Sequence, residues 1–367
     1  MELIKDHLLT PALVVDLDRF DRNLSRMAAH AREKGLTWRP HAKTHKCPEI
    51  ARAQIAAGAT GICAAKLSEA EVFAEAGIRG LLVTTAVIGR LKIERALRLA
   101  RIAADTIFVV DHEQNARDLS DAARTAGLTL NVALDLYVGR RTGIAPGGPA
   151  VALAQAILRL PGLRFAGLQA YAGFVSHVEG FEQRRKASLE ALAPAVETRR
   201  LLEQAGIEVP MLSSASTGTY NIDSEIEGVT ELQPGSFLFM DLDYRRIGGR
   251  GTERFTDFEM ALTVLATVVS RPEPGKAIVD AGFKAFSTDK PYLPEARDTP
   301  GVVYGFAGDE HGRLDYSQAG RELRVGDRLE FFPPHCDPTV NLYDRIYAVR
   351  GERVEAVWPV AARGMSQ

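Results

Sequence analysis

Between residues 36 and 235 the chain carries eight short apolar runs separated by helical patterns, and few folds accommodate that alternation. The runs fall at 36–43, 60–65, 81–86, 106–111, 130–136, 164–171, 209–215 and 229–235. Between most of them, as at 68–76, 92–103, 114–126 and 180–205, apolar residues recur at helical spacing and are often closed by a glycine such as Gly77, Gly127 or Gly206. Eight strands alternating with helices over about 200 residues match a TIM-like (β/α)8 barrel of the α/β class better than an open doubly wound sheet. Ahead of the barrel, residues 12–17 read as a buried strand running into a helix with Phe20, Leu24, Met27 and Ala31 on one face. After Tyr244 the helical spacing largely disappears. Gly248-Gly249-Arg250-Gly251 reads as a link, and β-rich runs follow at 258–270, 276–280, 328–332, 345–350 and 353–360. The expected organisation is a barrel over 1–245, whose first ten or so residues can pack on the second domain, and a mostly β domain over 246–367.

Composition narrows the partners. With 46% hydrophobic and 25% charged residues the chain is globular, and a net charge of -2 gives no electrostatic footprint for nucleic acid or an anionic membrane. No apolar run approaches the roughly 20 residues that span a bilayer, and Met1-Glu2-Leu3-Ile4-Lys5-Asp6 lacks the layout of a signal peptide. A cytoplasmic protein acting on a small molecule is expected. Cys47, Cys63 and Cys336 are odd in number and far apart, as reduced thiols are, and Cys63 reads as a small core residue.

Barrels keep their chemistry where strands hand over to loops at the C-terminal face. Lys43, in Arg39-Pro40-His41-Ala42-Lys43-Thr44-His45-Lys46, ends the first run, where neighbouring cations and partial shielding disfavour the ammonium and make a usable amine nucleophile. A solvated basic turn would have the same composition. Residues 135–141 follow the fifth run, 171–177 the sixth, and the hydroxyl-rich Ser213-Ser214-Ala215-Ser216-Thr217-Gly218-Thr219-Tyr220 the seventh. That last segment can offer hydroxyls and backbone N–H groups to a phosphate. In the second domain, His335 and Asp337 stand two apart in what reads as an extended segment, so both project to one side and can chelate a divalent ion while Cys336 points away. A His-x-Asp turn that only makes hydrogen bonds is the other reading.

Taken together, Arg39-Pro40-His41-Ala42-Lys43-Thr44-His45-Lys46, Gly167-Leu168-Gln169-Ala170-Tyr171, Glu231-Leu232-Gln233-Pro234-Gly235, Phe239-Met240-Asp241 and His335-Cys336-Asp337-Pro338-Thr339 resemble the D-threonine aldolase and D-serine dehydratase group. These are fold-type III pyridoxal-phosphate enzymes with an alanine-racemase-like barrel. The resemblance runs in order along nearly the whole chain. It implies that Lys43 forms the imine link to pyridoxal 5'-phosphate, that Ser216, Thr217, Gly218, Thr219 and Tyr220 hold the phosphate side, and that Arg141 contacts the cofactor ring side. Tyr171 and His177 would face the substrate, with His177 as base. His335 and Asp337 would hold a divalent metal, Mn2+ first, with Mg2+ or Zn2+ as alternatives, and the enzyme would be a homodimer.

Dehydratases of the group carry His-x-Cys as the metal pair and aldolases His-x-Asp, so Asp337 points to cleavage of a D-3-hydroxy amino acid into glycine and an aldehyde. A D-serine or 3-hydroxyaspartate dehydratase, releasing ammonia and a 2-oxo acid, is the nearest rival. A racemase would have no evident use for the metal pair, and a non-catalytic cofactor carrier would need no such β domain. Three departures from the aldolase pattern concern the substrate: Ala172 where a histidine is usual, the glycine-poor Ser213-Ser214-Ala215, and the doubled Arg140-Arg141. A second arginine can engage a β-carboxylate, which keeps 3-hydroxy-D-aspartate beside D-threonine and aryl D-serines; exposed surface charge explains Arg140 equally well.

Overall fold

The structure is a computed structural model that describes residues 3–367. Met1 and Glu2, where the reading of the N-terminus begins, lie outside the described residues. The chain forms two compact units. One comprises Met27–Lys43, Pro48–Gly235 and Gly364–Gln367, the other the chain up to Arg26, Thr44–Cys47 and Ser236–Arg363. The units are therefore not contiguous in sequence, as a division at 245/246 would have them.

After β1 (Ala12–Asp16), the strands of the first unit are β2 (Thr37–Trp38), β3 (Ile62–Ala64), β4 (Leu81–Val83), β5 (Ile107–Val110), β6 (Leu130–Asp135), β7 (Leu163–Gln169), β8 (Leu212–Ser214) and β9 (Glu231–Leu232). Seven lie inside one of the eight apolar runs, and β7 begins one residue ahead of its run. They pair in parallel in the order β2-β9-β8-β7-β6-β5-β4-β3. The last edge is closed by a parallel bridge between His41 and Cys63, where Thr60 N–H donates to the Trp38 carbonyl and Cys63 N–H to the Pro40 carbonyl, both at 2.9 Å. The barrel fold expected from the alternation is thus the fold observed. Strands such as β3 and β4 are buried along their whole length, which is why they read as unbroken apolar runs rather than alternating ones. At Gly167 the chain takes φ +127°, and a Cβ there would lie 2.2 Å from the Met211 carbonyl oxygen, so β7 can approach the residue preceding β8 only with glycine.

The crossover helices follow the patterns closely: Leu67–Glu75, Arg90–Ile102, Glu113–Ala126 and Phe181–Gln204. The helix Glu113–Ala126 shows why. His112 Nδ1 accepts the Gln114 N–H at its start, Ala116, Leu119 and Ala123 form its buried face, and Gly127 at φ +66° stops it. Burying Leu119 alone contributes about 2 kcal/mol. Among the described residues, no helix is long and apolar enough to cross a membrane.

The second unit is built on β10 (Leu262–Ser270), β11 (Lys276–Val279), β12 (Glu295–Ala296), β13 (Val303–Phe306), β14 (Gly312–Asp315), β15 (Arg328–Phe332), β16 (Arg345–Arg350) and β17 (Arg353–Pro359). The antiparallel order β11-β14-β13-β12-β15-β10 closes on itself through a β10–β11 pairing, and β1, β16 and β17 extend the sheet from β10. Phe286, Tyr304 and Phe331 pack edge to face in its core, with ring centroids 5.5 Å apart for Phe286–Tyr304 and for Tyr304–Phe331. Strand β1 departs from the expected order. It lies in this β sheet, antiparallel to β10 and parallel to β16, because a strand buried along Ala12–Val15 needs ladder partners on both edges and these two supply them.

Candidate active site

The barrel mouth is organised by one buried carboxylate. Beyond β2 the chain reaches a 3-10 turn, Ala42–Thr44, with half-buried Lys43 at its centre. The Lys43 N–H points to His41 Nδ1 at a long 3.4 Å, which leaves the ring proton on Nε2, 3.2 Å from Thr84 Oγ1. His41 is 5% exposed, so this pair of bonds satisfies a buried ring. The Thr84 carbonyl, just past β4, receives Arg141 Nη1 at 3.3 Å, Arg141 Nη2 at 3.2 Å and Gln169 Nε2 at 3.3 Å. Asp135, at the end of β6 and 2% exposed, then accepts from Arg141 Nη2 at 3.2 Å, Gln169 Nε2 at 2.7 Å and Thr142 Oγ1 at 2.6 Å. A carboxylate held by a guanidinium, an amide and a hydroxyl is compensated, and in return it fixes the Arg141 side chain. The Arg141 guanidinium carbon also lies 5.7 Å from the centroid of the Tyr171 ring.

Tyr171 and His177 come from the loop after β7, both half-buried, His177 at the end of the 3-10 turn Gly173–His177. A Cβ on Gly173 would lie 2.5 Å from the Tyr171 ring, so glycine is what lets the tyrosine lie across this turn. Arg140 is exposed at φ +60°, with its guanidinium carbon 5.4 Å from the centroid of Phe174.

After β8, Ala215 turns the chain at φ +74° and Ser216 to Thr219 fold back ahead of the short helix Tyr220–Asp223. The Ser216 N–H donates to Thr219 Oγ1 and the Gly218 N–H to Ser176 Oγ, both at 3.1 Å, so these two backbone donors are held by protein hydroxyls instead of being presented to a ligand. The loop has other means of meeting an anion. Thr217 Oγ1 is buried without a hydrogen-bond partner, and Arg184, 0% exposed, donates through Nε to the Gly218 carbonyl at 2.7 Å and through Nη1 to that of Val178 at 2.9 Å. A buried guanidinium behind the loop and an unpartnered hydroxyl within it fit the phosphate of pyridoxal phosphate. Tyr220 is buried with its ring edge-on to His30, centroids 4.7 Å apart.

Beneath this loop Asp223 accepts from Ser188 Oγ at 2.5 Å, Thr219 Oγ1 at 3.1 Å and Ser214 Oγ at 3.2 Å. Burial pushes its carboxyl up to about 6, although these hydroxyls and the Ala215 N–H favour the ionised form. The folded state therefore binds this proton more tightly than the unfolded chain. The stabilisation is fully present below the unfolded value near 4 and is lost as pH rises through 6, on the order of 3 kcal/mol in all. Asp223→Asn removes the titration, so the stability of the parent relative to the variant is expected to rise as pH falls from 7 to 4. Denaturant midpoints at each pH check this; parallel profiles for the two proteins would refute the assignment.

His335 and Asp337 belong to the β unit. The segment carrying them is not extended throughout: His335 is extended, but Cys336–Val340 is a short helix, since Asp241 Oδ2 accepts the Cys336 N–H at 2.8 Å and turns the chain there. Asp337 Oδ1 accepts from Ser236 Oγ at 3.2 Å, and His335 Nδ1 lies 2.7 Å from Asp289 Oδ2. Burial pushes the Cys336 thiol well above its ordinary value, with Asp241 and Asp337 adding to the effect, so this sulfur behaves as a core thiol. An imidazole oriented by a carboxylate, next but one to a second carboxylate, is a donor set that fits a divalent ion. Among the described residues, no three or more His, Cys, Asp and Glu are grouped to hold a metal.

Lys43, Arg141, Tyr171, His177 and residues 216–219 lie on the segments following β2, β6, β7 and β8, and Tyr220 opens the short helix after the last of them. His41, Thr84, Asp135, Gln169, Arg184 and Asp223 went unassigned in the sequence. Arg184 and Ser188 did carry a signal, since both fall on the buried stripe Phe181, Leu192, Ala195, Leu202 of their helix, where a charged residue is out of place.

Residues 15–243 match the family model for the alanine racemase N-terminal domain, and residues 261–349 that for a serine dehydratase domain. The chain is 40% identical to a D-threonine aldolase of an Arthrobacter species over 98% of its own length and 93% of the relative's. It is 38% identical to a 3-hydroxy-D-aspartate aldolase of Paracoccus denitrificans (strain Pd 1222), with the same coverage of both chains. Among solved structures, the crystal structure of D-threonine aldolase from Filomicrobium marinum superposes with a TM-score of 0.95 at 41% identity, covering 100% of this chain and 99% of that one.

Proposed function

Because the chain belongs to the alanine racemase N-terminal-domain family and joins that domain to a serine dehydratase domain, we propose that it is a pyridoxal-phosphate-dependent carbon–carbon lyase of D-3-hydroxy amino acids. The reaction is cleavage of Cα–Cβ to glycine and an aldehyde, assisted by a divalent metal. The observation that carries the choice of aldolase is Asp337, a carboxylate braced by Ser236 at the position where the dehydratases have a cysteine.

When bound, pyridoxal phosphate supplies an aldehyde that can link to an amine and a ring that takes up electrons from the α-carbon. Lys43 provides the amine, and Arg184 with the Ser216–Thr219 loop receives the phosphate. Asp135 holds Arg141 in one orientation for the cofactor ring side, which removes the freedom that a solvated arginine would have. His177 takes the proton from the substrate's 3-hydroxyl, after which the Cβ–O bond closes to a carbonyl as Cα–Cβ opens. His335 and Asp337 would hold a divalent cation, which when bound would supply Lewis acidity that favours ionisation of a hydroxyl.

Product analysis tests the reading. The cofactor-loaded protein is incubated with D-threonine, D-serine or 3-hydroxy-D-aspartate, with Mn2+ or with a chelator. Glycine plus aldehyde, lost on chelation, is the expected result; ammonia plus a 2-oxo acid would make the protein a dehydratase. Arg141 is compensated by Asp135, whereas Arg140 rests on Phe174, so Arg140 is the cation left for a second substrate carboxylate. Arg140→Gln is expected to lower kcat/KM for 3-hydroxy-D-aspartate roughly tenfold while leaving D-threonine nearly unchanged, the size of one exposed charge-assisted contact.

A further inference from the structure

His335 is fixed on every side but one. Its N–H donates to Ser287 Oγ at 3.1 Å, and its carbonyl accepts Thr339 Oγ1 at 2.7 Å. Thr339 Oγ1 in turn accepts the Ser287 N–H at 3.0 Å, which ties the two anchors together. The imidazole Nδ1 lies 2.7 Å from Asp289 Oδ2. An ionised carboxylate can only accept, so Nδ1 carries the proton and the lone pair of the neutral ring resides on Nε2.

The loop between β11 and β12 that carries Asp289 is itself held. Ser287 is buried on one side of it, and Lys290 on the other pairs with Asp243 at 2.8 Å. Asp289 is 45% exposed, so burial does not require it to pair, yet its oxygen is aimed at the ring of a residue that the preceding reading makes a metal ligand.

We infer that Asp289 is a positioning residue that locks the tautomer and ring plane of His335, so that Nε2 is the nitrogen offered to a divalent cation of the Mn2+ or Zn2+ type. The inference rests on His335 and Asp337 being the cation's ligands. Asp289 acts through the imidazole, by setting its tautomer and orientation.

The test is Mn2+ binding by the full cofactor-loaded protein, stripped with chelator and titrated calorimetrically, beside denaturant midpoints of the same samples. Asp289→Ala is expected to weaken Mn2+ binding by roughly 10- to 100-fold. Asp289→Asn, whose side-chain oxygen can still accept from Nδ1–H, recovers most of the affinity. Neither change is expected to move the denaturant midpoint appreciably, since the residue is half-exposed. Unchanged affinity in Asp289→Ala, in a protein where His335→Ala abolishes binding, would overturn the inference and leave the cation site standing. Full Mn2+ affinity in His335→Ala would overturn both.

Discussion

Lys43→Ala is expected to abolish turnover and, with it, the yellow absorbance of the cofactor-loaded protein. The lysine sits on a 3-10 turn at the end of β2, half-buried, with its N–H toward His41 and His41 in turn on Thr84. The loops after β4 to β8 carry no lysine, and the other lysines that follow barrel strands there are Lys46 after β2 and Lys66 after β3. Lys43→Arg keeps the positive charge but cannot form an imine, so it separates the covalent role from an electrostatic one. Both variants are expected to lose the band, and activity should fall by at least the roughly 10²–10⁴-fold attached to one proton-transferring group. A retained band in either variant would refute the assignment. Bound cofactor without the band would show that the phosphate loop alone suffices for affinity.

The second large effect is expected at the metal pair. On the proposed reading Asp337→Ala removes one of the two residues that would hold the divalent ion, and it should cut Mn2+-dependent activity by roughly 10²-fold or more, while the cofactor absorbance stays intact. Asp337→Cys substitutes the ligand type of the dehydratases, and a thiolate is expected to shift preference from Mn2+ toward Zn2+. Activity of Asp337→Ala equal to the parent, with and without chelator, would leave Asp337 a structural residue, a hydrogen-bond acceptor for Ser236 among other contacts.

Much of the fold was legible before any coordinates. All eight barrel strands coincide with the eight apolar runs, β7 beginning one residue early, and those such as β3 and β4 that are covered on both faces have no polar side to interrupt them. Their extents were not legible: β2 is only Thr37–Trp38 within a run of 36–43, since strand length is set by how far the neighbour β9 pairs with it. In the β unit, β12, β13 and β14 were missed. Glu295–Ala296, Val303–Phe306 and Gly312–Asp315 are two to four residues long, too short for a periodicity, and exist as strands because they complete a closed ring.

At the site, the sequence by itself determined what each loop has to offer: an amine at Lys43, hydroxyls at 216–219, an arginine at 141, and an imidazole and a carboxylate at 335 and 337. Residue type and position after a strand suffice for that. Only the tertiary structure decided how those groups are held. Asp135 meets Arg141, Gln169 and Thr142 across the mouth; Arg184 and Asp223 back the phosphate loop from two different helices; Asp289 reaches His335 from a loop 46 residues earlier. The reason is physical. A strand or helix announces itself through the periodic burial of its own neighbours in sequence, whereas a buried charge is tolerated only where distant parts of the chain converge to compensate it, and no local pattern records which parts those are.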